Sequence, residues 1–404
     1  MNMHIIILLF IFISICGLLY FKRPLWQAIL TGIVLTIIGY QIPINQWFTL
    51  VSKVFTTFSS ISVLLSLYLI TYLQRMLEKR EQIKLAQEDL NQLFHNRRIN
   101  ATIAPLFIGL LPSAAAMILC GDIVKDATDG YLKKDEQAFV TSWFRHIPES
   151  TLPTYSAVLM MSSLANIELS SFMIGMIPML IVLFSIGYFR YIRRIPKEVN
   201  ESKNDDKSKM YHLIGILKHL WSLFLIVILI LVFDLSVVAA VCISIVLVAI
   251  VYHFTFDELK EIITSAFEKK MLLNTFFVLV FKEFLGFSGV LQELPIALNT
   301  LPIPMFLIFV LLFFFGGLIS GSAGIIALGT PLAFSSIPDG GVSLMILLMC
   351  VCHAANLLSP THVCLVVASE YYDVSLGSLI KKTIPASCIL IVSAIIYYLV
   401  LTII

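Results

Sequence analysis

HIPESTLPTYSAVLMMSSLANIELSSFMIGMIP, from His146 to Pro178, and HAANLLSPTHVCLVVASEYYDVSLGSLIKKTIP, from His353 to Pro385, decide how this chain folds. Aligned without a gap, the blocks share His146/His353, Pro153/Pro360, Thr154/Thr361, Ser162/Ser369 and Pro178/Pro385. Each begins inside an apolar stretch long enough to cross a bilayer, which takes about 20 residues. Each also carries a helix-breaking cluster there: His146-Ile-Pro148-Glu149-Ser150-Thr151-Leu-Pro153-Thr154 in the first, His353-Ala-Ala-Asn356-Leu-Leu-Ser359-Pro360-Thr361 in the second. Proline removes an N–H and crowds the preceding turn, so the helix is expected to open at both places. In hydrocarbon such irregular backbone survives only where it is buried in protein or lines a wet cavity. A plain pair of proline kinks satisfied by neighbouring helices is the alternative. Polar groups such as His146, Glu149 and Asn356 at that depth argue against it, because they are costly there without a purpose.

Upstream of each block lies an apolar stretch rich in small residues. GLLPSAAAMILCGD (Gly109 to Asp122) matches GLISGSAGIIALGT (Gly317 to Thr330) at nearly the same offset. Both stretches, 101–121 and 304–334, are expected to be re-entrant hairpins. Their tips, Pro112-Ser113 and Ser320-Gly321-Ser322, let the chain turn and bring backbone N–H groups close to a ligand. Close helix packing through Gly317-x-x-x-Gly321 is the competing reading. Asp122 follows the first tip and is a candidate coupling residue or a group near the cytoplasmic surface.

The rest of the chain fits a membrane protein. Hydrophobic residues make up 59% of the 404, charged ones 13%, and the mean hydropathy is +0.95. Soluble domains carry roughly 25% charged residues. Spans are expected near 3–21, 25–42, 58–77, 137–166, 172–190, 213–233, 235–252, 271–291, 341–370 and 383–403. With the N-terminus outside and the two hairpins returning to their own side, the basic loops all face the cytoplasm. These are Lys22–Arg23, Arg75 to Arg98, Lys125 to Arg145, Arg190 to Lys218, Lys260 to Lys270 and Lys381–Lys382; only Lys53 and Lys282 fall elsewhere. That asymmetry is what membrane insertion favours. Both termini are then extracytoplasmic, in the cell membrane. The apolar spacing of Ile83, Ala86, Leu90, Leu93 and Phe94 predicts a surface helix within 78–98. Lys282–Glu283 predict an internal ion pair.

Five crossings separate the matching blocks, so the second half is expected to be inverted relative to the first. The chain divides into a first repeat 1–191, a cytoplasmic linker 192–212 and a second repeat 213–404. The fold class is an all-α polytopic protein with five transmembrane helices plus one re-entrant hairpin per repeat. Such inverted repeats recur in secondary transporters. The candidate substrate and ion site comprises Pro112, Ser113, His146, Glu149, Ser150, Thr151, Thr154, Ser320, Gly321, Ser322, His353, Asn356, Ser359 and Thr361, with Asp122 for coupling. The seven cysteines show no CxxC spacing and no HExxH occurs, so no metal site, catalytic residue or cofactor is expected, nor a nucleic-acid partner. A cation-coupled transporter of a small organic anion is the leading function. A proton/cation antiporter using Glu149 or Asp122 is the alternative, and an intramembrane enzyme the weaker third.

The block LLSPTHVCLVVASEYYDVSLGSLIKKTIP, with the SGSAG hairpin, resembles the DUF401 integral membrane family, a branch of the ion transporter superfamily that also holds divalent-anion/sodium symporters and gluconate permeases. The resemblance implies scaffold and transport domains, a homodimer in the lipid bilayer, an elevator mechanism and sodium as a possible coupling ion. One departure is plain. Divalent-anion symporters carry Ser-Asn-Thr at both tips, whereas this chain has Pro112-Ser113-Ala114 and Ser320-Gly321-Ser322.

Overall fold

A computed structural model describes residues 3–93, 96–109, 115–197, 209–360 and 362–403. Among them every regular element is a helix. The first ten are α1 (Met3–Tyr20), α2 (Leu25–Gly39), α3 (Ile44–Thr56), α4 (Phe58–Lys79), α5 (Gln82–Leu93), α6 (Arg97–Ile108), α7 (Ala115–Thr128), α8 (Lys134–His146), α9 (Ser156–Ala165) and α10 (Leu169–Arg190). The other nine are α11 (Lys209–Leu231), α12 (Val237–Val251), α13 (Phe256–Ser265), α14 (Lys269–Phe287), α15 (Val290–Leu298), α16 (Met305–Ser336), α17 (Gly341–Asn356), α18 (Val363–Tyr371) and α19 (Leu376–Ile403).

Proline and polar caps set many of the starts. Pro24, Pro43 and Pro304 each precede the first residue of a helix, where a missing N–H costs nothing. The Asn96 side chain accepts from the N–H groups of Arg98 and Ile99 to begin α6. Thr255 and Glu258 cap α13 reciprocally. Asn166, left-handed at φ 56°, ends α9.

The order of elements in 3–190 recurs in 209–403. Each half has a long apolar helix, a shorter one, a strongly amphipathic one (α3, α13), a long one and a short one. A hairpin, an interrupted helix and a closing long helix follow. Among the described residues, seven helical segments are long and apolar enough to cross a membrane, one of them the α16 stretch that is interrupted at Gly321, or eight if α14 and α15, which meet at 75°, count as one bent span. With the shorter apolar helices α2, α9 and α12, they make the chain a multi-pass membrane protein.

Burial separates perimeter from centre. The most apolar windows of α1, α10, α11 and α19 are buried over less than a third of their residues, leaving the rest for lipid. By contrast, every residue of α8 from Gln137 to His146 is buried, although its sequence is polar. The same holds for α17 from Leu344 to Asn356. A helix covered on all sides belongs to the core, so the two interrupted helices occupy the middle. Phe139 stacks on Trp143 at 5.3 Å, and the Trp143 indole donates to the Leu183 carbonyl at 2.9 Å, fixing α8 against α10.

The α16 helix is a doubled element. Non-helical dihedrals occur at Gly321 (φ 71°, ψ 173°), and the arms on either side touch. A Cβ placed on Gly329 would meet the Phe313 ring at 2.6 Å, and one on Gly316 would meet Ile325 at 2.4 Å. In a straight helix residues 313 and 329 would be about 24 Å apart. The chain therefore turns back at Gly321, as expected for 304–334, and its 32 residues are two short arms. At 101–121, Arg97 on α6 donates to the Asp126 and Ala127 carbonyls of α7 at 3.3 and 3.4 Å, so these helices are antiparallel too. The tip between them, with Pro112 and Ser113, lies outside the described residues, as does Thr361.

One face gathers charge. Arg80 forms two 2.8 Å bonds to Glu258 and covers the Phe254 ring at 4.1 Å. Lys79 meets Glu261 at 2.5 Å, and Arg75 meets Glu268 at 3.3 Å. The Arg80 guanidinium and the capping N–H of Thr255 pull the Glu258 carboxyl down to about 2. The expected surface helix is present as α5, and His212 on α11 holds its Asp89 at 2.8 Å. The linker's first part docks on α6, where Arg98 donates to the Ile195 carbonyl at 2.6 Å; residues 198–208 are outside the described set.

Two charge assignments need correction. Lys282 and Glu283 serve separate partners, Lys282 donating to the Ser163 carbonyl at 3.4 Å and Glu283 facing Lys53 at 3.8 Å. Neighbours on a helix point about 100° apart, which sends their side chains to different elements. Arg145 is no loop residue. It is the last residue but one of α8, is 2% exposed, and lies eleven residues, roughly 17 Å, beyond that helix's first residue.

Candidate functional site

Both helix-breaking clusters break the helix. After α8 the chain makes one 3-10 turn, Ile147–Ser150, then irregular backbone until Ser156. After α17 it is irregular from Leu357 to Pro360 and at His362. Polar residues and proline do this locally: Pro148 opens the turn, and the Thr151 N–H bonds back to its carbonyl at 3.1 Å. Each break exposes the carbonyl end of one helix and the N–H end of the next.

The interruptions meet. His146 Nε2 is 3.0 Å from His362 Nε2, the rings edge-to-face with centroids 5.0 Å apart. Since a carbonyl only accepts, His146 Nδ1 carries the proton in its 2.5 Å bond to the Ser142 carbonyl. His146 therefore turns a lone pair toward His362. Arg145 Nη1 lies 3.4 Å from His146 Nε2 and 3.7 Å from Cys364 Sγ. Glu149 Oε2 lies 3.6 Å from His146 Nε2, just beyond hydrogen-bond reach. His353 is close enough to His146 and His362 to interact electrostatically, as Glu149 is to Arg145 and Cys352. The cluster thus holds one guanidinium, one carboxyl and three imidazoles at the centre of a membrane protein.

Several of its polar atoms are unsatisfied. Glu149 Oε2, Thr154 Oγ1, Ser142 Oγ and His353 Nε2 are buried atoms that meet no hydrogen-bond partner among the described residues. Such groups are rare in folded proteins and mark places where a ligand or water completes the set.

The hairpins close on the breaks. Ser359 donates to the Leu318 carbonyl at 2.9 Å, and Cys352 Sγ lies 4.0 Å from the Ser322 carbonyl. Gly109, at the end of α6, admits the Arg145 carbonyl so closely that a Cβ would lie 2.0 Å from it. The Tyr155 hydroxyl donates to the Gly109 carbonyl from the other side. A cavity of about 420 Å³ runs between α4 and the end of α9, its lining mixing serines such as Ser62, Ser66 and Ser162 with apolar Val63, Leu159 and Leu169. A larger apolar groove of about 990 Å³, beside Leu64, Tyr68, Phe267 and Phe276, is remote from the cluster.

Of the sequence-derived residues, Glu149, Ser150, Thr151, Thr154 and Ser359 lie on the two breaks, His146 and Asn356 end the helices before them, and His353 sits inside the last turn of α17. Ser320, Gly321 and Ser322 form the turn of α16. Asp122 is exposed on α7 and accepts from the Tyr371 hydroxyl. Three residues of the cluster escaped the sequence reading. Arg145 looked like the edge of a basic loop, and His362 and Cys364 join the cluster only across more than two hundred residues. The blocks also reveal an asymmetry: Arg145 and Glu149 correspond to Cys352 and Asn356, so only the first half supplies charge.

An all-helical membrane protein with two interrupted central helices and helical hairpins packed on them is the class this geometry defines. The chain matches the family described as protein of unknown function, DUF401, over residues 4–404, and it belongs to that family. No curated protein matches it. Among solved structures it is similar to the YdaH transporter of Alcanivorax borkumensis, at 14% identity over 89% of each chain with a TM-score of 0.61. It is also similar to MtrF of Neisseria gonorrhoeae, described with a class of antimetabolite efflux pumps. That match is at 14% identity over 93% of this chain and 94% of that one, with a TM-score of 0.64. At this identity the likeness is one of fold.

Proposed function

We propose that the chain is a secondary active transporter of a small organic anion in the cell membrane, driven by sodium or protons. The observation that carries this is the meeting of two interrupted helices at a buried cluster holding Arg145. A guanidinium in a low-dielectric interior attracts a carboxylate strongly, and its planar fork suits a bidentate one. The N–H ends of α9 and α18 add favourable dipoles. The fold shared with a transporter and an efflux pump supports the class, and the latter keeps export open as the direction.

In this reading the two halves are inverted repeats, both termini are extracytoplasmic, and two chains form a homodimer. The substrate lies among Ser320–Ser322, the polar residues of both breaks and the tip at Pro112 and Ser113, with Thr361 completing the second break. The hairpins and interrupted helices move together as an elevator past a scaffold that includes α4. Glu149, half-buried beside His146, favours protons as the driver and supports a second reading as a proton/cation antiporter. No part of either reading calls for enzymatic chemistry.

Proteoliposomes separate them. Labelled carboxylates should accumulate under an imposed sodium or proton gradient and exchange with unlabelled substrate across the membrane. Proton movement on adding a cation, without carboxylate flux, would establish the antiporter instead. Absence of both fluxes from correctly folded, reconstituted protein overturns the proposal.

A further inference from the structure

We propose that His146, His362 and Cys364 form a binding site for a thiophilic divalent transition-metal ion of the zinc class, with Glu149 as its fourth ligand. The ligating atoms of the three residues all lie within 4.8 Å of one another. The two Nε2 atoms, 3.0 Å apart, are close to the about 3.3 Å expected between imidazole ligands of a tetrahedral zinc ion with Zn–N bonds near 2.0–2.1 Å. The Cys364 sulfur needs a shift of about 1 Å to meet the same ion at a Zn–S bond of about 2.3 Å.

His146 is already oriented for the task. Its Nδ1–H is committed to the Ser142 carbonyl, the outer-shell bond that fixes a metal-binding imidazole and leaves Nε2 as the donor. Without metal, His362 donates its Nε2–H to that lone pair; with metal, His362 takes the other tautomer. Glu149 brings a carboxylate oxygen 3.6 Å from His146 Nε2 that no described hydrogen bond occupies.

Arg145 narrows the choice of ion. Its guanidinium near the cluster repels any cation, so an ion held by electrostatics alone gains little. Sodium prefers an all-oxygen shell, which these residues do not provide. Imidazole and thiolate instead bind borderline and soft metals through partly covalent bonds, and thiolate with carboxylate match a divalent charge. The donor set thus departs from the sequence reading, which expected no metal and considered sodium for coupling. A bound ion would tie the end of α8 to the start of α18, joining the two halves of the molecule.

The test uses the purified full-length protein in detergent, stripped of metal and titrated with Co²⁺. Cys242→Ser and Cys388→Ser are included to remove the two exposed thiols. The expected result is one Co²⁺ per chain with tetrahedral d–d bands and a thiolate-to-cobalt charge-transfer band, both displaced by Zn²⁺ and unaffected by excess Na⁺. Cys364→Ser should abolish the charge-transfer band, and His362→Ala should weaken binding at least about tenfold. Where His362→Ala fails to fold, His362→Gln replaces it. Absence of tetrahedral bands, an unchanged charge-transfer band in Cys364→Ser, or displacement by sodium overturns the proposal. Binding is read at equilibrium without a membrane, so the result stands or falls independently of transport.

Discussion

At the residue scale the cluster turns on Arg145, whose guanidinium lies 3.4 Å from His146 Nε2. If an organic anion binds there, Arg145→Ala should weaken its binding by about 2–5 kcal/mol, the range for losing one partner of a buried charge pair. Arg145→Lys should keep the charge yet still bind at least about tenfold more weakly, because an ammonium cannot reproduce a planar fork. Thermal-shift titration with carboxylates, with and without sodium, measures both, since a ligand that binds only the folded state raises the melting point. His146→Ala and His353→Ala should abolish the shift in protein that still melts cooperatively. Normal binding by both histidine variants would remove these side chains from the site.

At the scale of the element, breaks and hairpins were legible because their causes are local. Two prolines with polar residues clustered between His146 and Thr154 interrupt the helix there, whereas the lone Pro178 and Pro385 stay inside α10 and α19, and Gly321 announces a turn that only glycine makes cheaply. Its φ of 71° with ψ of 173° belongs to a region nearly closed to other residues. A Cβ there meets nothing within 4 Å, so Gly321→Ala should cost about 1–3 kcal/mol from backbone strain alone. Gly377→Ala, in the first turn of α19 and equally open, should be neutral or stabilising by about 0.4–1 kcal/mol. Chemical denaturation in detergent compares the two. What the sequence concealed is non-local. The depth of Arg145 depends on α8 being covered on every side, and His362 meets His146 only because two breaks cross. No pattern within one window encodes either.

The α4–α13 contact makes a prediction about acidity. A carboxyl whose folded value lies below its unfolded one stabilises the fold at every pH above the unfolded value, and that contribution fades as the pH falls through the folded value. For Glu258 the window runs from its ordinary 4.5 down to about 2. The melting temperature of the native protein should therefore fall more steeply across that window than that of Glu258→Gln. Equal slopes would show that the Arg80 bond adds nothing to stability.

At the scale of the whole molecule, the ion pairs joining the end of α4 to α13 and to Glu268, at the start of α14, place residues 75–80 and 258–268 on one side of the bilayer. In the proposed topology, which rests on the distribution of basic residues, both segments face the cytoplasm. Single cysteines at Glu81 and Asp257, in a background lacking Cys242 and Cys388, should react with an impermeant maleimide in inside-out vesicles only. Labelling of one from each side would break the proposed topology.

The unequal charge of the two halves has a consequence for descent. If one ancestral unit gave rise to both, carrying Arg145 and Glu149 in one half but Cys352 and Asn356 in the other is a state that single substitutions do not readily reverse. Losing Glu149 first leaves Arg145, 2% exposed, without the carboxylate that acts on it across the cluster, and leaving a buried charge uncompensated costs about 3–5 kcal/mol, a large share of the 5–15 kcal/mol by which proteins typically hold their fold. The lineage is held to one handedness as a ratchet is held by its pawl.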